Sequence, residues 1–274
     1  MPRTLRGVRH TPREPGTLGR LALPGAISLS AGSAVWSRLV RNRRLLVALA
    51  VIIAALVFVA IANRMGPPRT GLIVEPAVAI ALIIAARKHG LSWHDLGLSP
   101  RTWLRGLRYA VMAVAAVTMV YLAAVAWPVT REAFVDGRYQ MHPGAALMTA
   151  LVFIPLGTVM LEEIAFRGVL MGLVGKSKSV TYAVSISSVL FGLWHVLPSL
   201  AMGANHLVTS IVGSGLVAKI IVAVAVVAFT GLAGVLLCEI RRRSGSIIAT
   251  AGLHWATNGL GVLLTSAIWS LRLA

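Results

Sequence analysis

The chain has 274 residues, of which 57% are hydrophobic and only 12% charged. That charged share is about half of what a soluble domain carries, which excludes an ordinary water-soluble fold. The formal charge of +18 raises nucleic acid as a partner. The basic residues flank apolar runs, however, and form no basic stripe interleaved with aromatics, which speaks against that class. They read as a topology signal and as attraction to anionic membrane lipid. Cys238 is the single cysteine, so neither an intrachain disulfide nor a cysteine-based metal site can form. The Ala- and Val-rich spans suggest a high-GC bacterial source.

Residues 1–44 are rich in arginine with scattered Pro and Gly and read as a basic, disordered cytoplasmic tail. Residues 45–274 read as a polytopic membrane domain. Leu45 to Ala62 is the first apolar run. Ala60-Ile61-Ala62 resembles a signal-peptidase site, but the basic region before it is longer than a normal signal n-region, so a retained anchor is expected. Leu72 to Ala86 is a shorter second run, in which Glu75 reads as interfacial and without a role. Trp93 and Trp103 mark a short interfacial segment at headgroup level. Gly106 to Trp127 is the third span, and Ala145 to about Leu173 the fourth. Val180 to Leu197 is the fifth, closed by Pro198. Ser199 to Gly215 is a loop or a re-entrant piece. Leu216 to Cys238 is the sixth span, stopped by Arg241-Arg242-Arg243, and Ile247 to Leu271 is the seventh. The expected fold is an all-α membrane bundle of about seven helices. Lys and Arg concentrate on one side of this layout, which predicts a cytoplasmic N-terminus in the cell membrane and the C-terminus outside.

The whole protein has eight acidic residues, and Glu162 and Glu163 sit side by side in the fourth span. An ionised group at bilayer depth costs on the order of 3 kcal/mol on insertion scales, so such groups are normally paired and functional. In a helix Glu163 and Arg167 stand at i and i+4 and neutralise each other. Glu162 points about 100° away and has no partner in the local sequence. An unpartnered buried carboxylate suits a general base working near neutrality. Two further polar clusters lie in other spans: His195, one helix face with Phe191, and His254 with Asn258, again at i and i+4. His10, His89, His94, His142 and His206 read as peripheral, and Gly252 and Gly259 as packing residues. The site is therefore expected among the fourth, fifth and seventh helices.

Glu162-Glu163-x-x-x-Arg167, Phe191-x-x-x-His195 and His254-x-x-x-Asn258, in this order and each in a hydrophobic run, resemble the three motifs of the CPBP family (CAAX protease and bacteriocin-processing, or Abi). This family of intramembrane proteases includes the type II CAAX prenyl endopeptidases. The resemblance covers residues 145–264, and Trp93-x-x-Leu96-Gly97-Leu98 resembles a segment that precedes the core in bacterial members. It implies an endopeptidase acting on a membrane-associated protein or peptide. By position, Glu162 is implied as the base that activates water and His195 as the group that helps hold it. Glu163 with Arg167 orients the site, while His254 and Asn258 stabilise the developing oxyanion. A rival assignment, a metalloprotease, makes Glu162, His195 and His254 ligands of a zinc ion; the sequence does not separate the two. Two other classes stay open: a non-catalytic bacteriocin-immunity or scaffold protein that binds a peptide, and an ion or proton transporter using the same residues as a relay.

Overall fold

The computed structural model describes residues 29–134, 140–200, 213 and 215–272. Among them there are helices and no strands. Residues 1–28, 135–139, 201–212 and 214 (most of the Ser199–Gly215 stretch, with His206), 273 and 274 lie outside the described residues. The chain divides into two units, Met1–Val40 and Arg41–Ala274. The first contributes only the opening turns of α1 to the described residues, and the second holds all the rest.

Helix α1 runs from Leu29 to Met65, which corrects the expectation of disorder up to residue 44. The breakers Pro24 and Gly25 precede it, and the Leu, Ala and Arg residues that follow are good helix formers. Its apolar part, Leu45–Met65, is long enough to cross a membrane. It buries Leu45, Ile52, Leu56 and Val59, a helical stripe turned to the protein with the other faces left to lipid. Helix α2 (Gly71–Lys88) repeats the pattern with Glu75, Ala79, Leu82 and Ala86 buried. Helix α3 (Trp103–Ala126) follows a single 3-10 turn and keeps most of its surface outward.

Helix α4 (Pro143–Ser177) is the axis of the fold. Every residue from Glu163 to Leu170 is buried, so here a helix is covered on all sides. It is not a regular α-helix. Thr149–Phe153, Pro155–Val159 and Glu163–Leu170 adopt the wider π form. Pro155 supplies one cause: it lacks an N–H and its ring crowds the carbonyl four residues back. Helix α5 (Val180–Trp194) ends at His195, followed by a short separate helix, Val196–Leu200. Helix α6 (Leu216–Ser244) carries Arg241, Arg242 and Arg243 in its last turn. The arginines therefore do not stop it. Gly245 does, in the left-handed conformation at φ 72° that commonly closes a helix. Helix α7 spans Ile247–Leu271 with a π segment at Ala256–Leu260.

Five helices, α1, α3, α4, α6 and α7, are long and apolar enough to span a membrane. The other two expected spans fall short: α2 holds Glu75, Arg87 and Lys88 in 18 residues, and α5 has only 15. The molecule is thus an all-α, multi-pass membrane protein, with five helices long and apolar enough to cross and two shorter apolar helices among the described residues.

Helix α7 packs on α3 and α4, and α5 on α6. Gly252 lets α7 approach α3 closely, because a Cβ there would collide with Ala110. Replacing it with Val should cost about 1–3 kcal/mol of stability through overpacking. Gly175→Ala, where a Cβ meets nothing, should be neutral or stabilising. Thermal unfolding of the two variants in detergent measures the contrast.

Candidate active site

Glu162, at the end of an α-helical turn of α4, and Glu163, at the start of its buried π segment, lie against α5 and α7. Glu163 is 1% exposed, and its Oε1 accepts hydrogen bonds from Arg167 Nη1 (3.1 Å) and from His254 Nδ1 (2.9 Å). A carboxylate oxygen can only accept, so Nδ1 of His254 carries the proton in this contact. Arg167 is fully buried, and its Nε and Nη2 find no hydrogen-bond acceptor. Instead the guanidinium lies over the Phe191 ring, 3.9 Å from its centroid, which returns part of the desolvation cost as a cation–π contact.

Glu162 is 5% exposed. Trp194 at the end of α5 donates its indole N–H to Oε1 at 2.8 Å. Oε2 is buried without a hydrogen bond and faces His254 Nε2 at 3.7 Å, beyond direct hydrogen-bonding range. One oxygen of this carboxylate is therefore anchored, and the other has no hydrogen bond among the described residues.

His195 caps α5 and is half-buried. Its Nδ1 lies 2.7 Å from the Phe191 carbonyl, an acceptor, which leaves Nε2 as the free nitrogen. Phe191 is the hub of the cluster: its ring stands edge-on to His195 (4.7 Å between centroids) and to His254 (5.8 Å). Asn258 is exposed and makes no side-chain hydrogen bond among the described residues. Asn258 lies in the π segment that follows His254. The structure thus gathers Glu162, Glu163, Arg167 and His254, joins His195 through Phe191, and leaves Asn258 exposed.

The zinc alternative does not fit this arrangement. Among the described residues no group of three His, Cys, Asp or Glu stands close enough together to hold an ion as the side chains lie here.

Several contributors were not singled out in the sequence. Trp194 directly precedes His195, yet nothing local says that its N–H reaches α4. Ser187 of α5 donates to the Phe166 carbonyl (3.0 Å), and Trp255 of α7 to the Ala150 carbonyl (2.7 Å). Both acceptors lie in π segments of α4. Glu75 is a correction. It is buried rather than interfacial and accepts from Asn63 Nδ2 at 2.8 Å.

The buried pair sets an energetic expectation. Arg167→Met strips Glu163 of its cation and should cost about 3–5 kcal/mol, whereas Arg167→Met combined with Glu163→Gln should recover part of that loss. Denaturant unfolding of the single and double variants measures it.

Comparison with known proteins adds one finding. Residues 144–260 match the family model described as Type II CAAX prenyl endopeptidase Rce1-like. Every candidate site residue falls within the match, while residues 1–143 and 261–274 lie outside it. No curated protein and no solved structure matches the chain. Residues 144–260 thus match an Rce1-like type II CAAX prenyl endopeptidase domain, consistent with a membrane protease of the CPBP family.

Proposed function

We propose that this CAAX-type endopeptidase hydrolyses a peptide bond of a membrane-associated protein or peptide, using a water activated by Glu162. The observation that carries the reading is the asymmetry of Glu162: Oε1 fixed by Trp194, Oε2 buried, unpartnered and turned toward His254. A water donating to Oε2 loses its proton there as its oxygen adds to the scissile carbonyl carbon. The proton then passes to the leaving nitrogen as the C–N bond breaks, which returns Glu162 to its carboxylate form.

Glu163 and Arg167 hold the imidazole of His254 by its Nδ1, so that Nε2 faces the reacting water; only as an imidazolium does the ring donate from Nε2 to the developing oxyanion. His195, with Nε2 free, helps hold the water. Asn258, which is exposed, is the side-chain donor that swings to the oxyanion once substrate fills the opening. The basic residues gathered at one end of the helices support a cytoplasmic N-terminus in the cell membrane.

Glu162→Ala should abolish cleavage in proteoliposomes while leaving insertion and thermal stability intact, and unchanged turnover would reject the base. Glu162→Gln should be equally inactive, whereas a protein that only binds a peptide would keep its phenotype. Asn258→Ala should lower kcat by about a hundred- to a thousand-fold, the usual loss of one oxyanion donor. Activity should persist in a strong chelator; loss restored by zinc would overturn the metal-free reading. Comparing membrane peptides from cells carrying wild type and Glu162→Ala identifies the substrate.

A further inference from the structure

The loop between α2 and α3 lies outside the family match, yet it grips the helices that carry the site. Gly97 there has φ +71°, a conformation that favours glycine. A side chain at Gly97 would also collide with the guanidinium of Arg241. Arg241, buried at the end of α6, donates through Nη2 to the carbonyls of His94 (3.1 Å) and Asp95 (3.0 Å). Lys176 at the end of α4 pairs with Asp95 (3.1 Å) and donates to the Gly90 carbonyl (2.6 Å). Burial works against the charge on Asp95, but hydrogen bonds from Ser92 and the Lys176 ammonium outweigh it and hold the carboxyl below its ordinary range.

The loop so fastened touches both helices of the Glu163–His254 contact. On α4 the Leu96 carbonyl lies against Gly168, the residue after Arg167, where a Cβ would stand 3.3 Å away. On α7 the Gly97 carbonyl accepts the amide N–H of Ile247 at 3.0 Å, satisfying a donor that a helix start otherwise leaves bare. His254 lies seven residues further on, about 10.5 Å along a rigid helix.

We propose that Arg241, acting through the 92–98 loop, is a positioning residue that fixes α7 against α4 and so sets the His254–Glu163 contact. The alternative, an arginine that merely stabilises the fold, predicts a uniform loss of protection across the molecule. Only the kinetic part of the proposal rests on the hydrolase reading above.

The test uses the full chain in nanodiscs, with Arg241→Ala, Arg241→Lys and the exposed neighbour Arg243→Ala as control. Hydrogen exchange over residues 246–251 should rise about ten-fold or more in Arg241→Ala, with residues 180–194 unchanged. With a cleaved substrate, kcat should fall on the order of ten- to a hundred-fold while KM stays within about two-fold, as expected when a reacting group is displaced. Arg241→Lys should be intermediate in both, and it serves alone if Arg241→Ala does not fold. Arg243→Ala should match wild type. Wild-type exchange over 246–251 in the Arg241 variants, or an equal rise everywhere, would overturn the proposal. A local rise in exchange with no cleavage by any form, wild type included, would sustain the positioning role and reject the hydrolase.

Discussion

The carboxylate of Glu163 receives an arginine from its own helix and an imidazole from another, all buried inside the protein on helices long and apolar enough to cross a membrane. Taking such charges from water costs several kcal/mol each, so they persist only where the geometry satisfies them. Oε1 of Glu163 meets this condition twice, through Arg167 and His254. The consequence is positional: α7 cannot slide or rotate against α4 without breaking the His254–Glu163 hydrogen bond and leaving a buried imidazole nitrogen without that partner. That constraint brings His254 to Glu162, and α5 completes the cluster by supplying Trp194 and Phe191.

The π segments belong to the same account. They leave α4 with backbone carbonyls that neighbouring side chains reach, from Ser187 on α5 and Trp255 on α7. Irregular backbone at membrane depth is tolerated where protein buries it and satisfies its polar groups. Such segments are rare and cluster at functional sites, and here one of them contains Glu163 and Arg167. The departure from regular helix and the polar site thus occupy the same few turns, each supplying partners to the other.

Much of this was legible in the chain. Composition and apolar runs indicated a helical membrane protein, and the four-residue spacing of Glu163 and Arg167 indicated their pairing. Three ordered motifs indicated a protease family. Contacts between helices were not legible, because no periodicity says which indole reaches which carboxylate; Trp194 on Glu162 is the clearest case. The four-residue spacing of His254 and Asn258 did not tell that Asn258 would lie exposed in a π segment. Glu75 was read as interfacial from its position near a helix end, whereas packing of α2 on α4 and the Asn63 amide allow its burial. Arg241 was read as a stop signal, when its guanidinium folds back onto the carbonyls of the preceding loop.

The central claim is that His254 and Glu163 meet across two helices. A solid-state NMR measurement of the dipolar coupling between the labelled imidazole nitrogens of His254 and the carboxyl carbon of Glu163, in lipid, tests it most directly. The account predicts a protonated Nδ1 at hydrogen-bonding separation from that carboxylate, in keeping with the 2.9 Å contact. An imidazole with no coupling to Glu163, beyond the bridging reach of a single water, would contradict it.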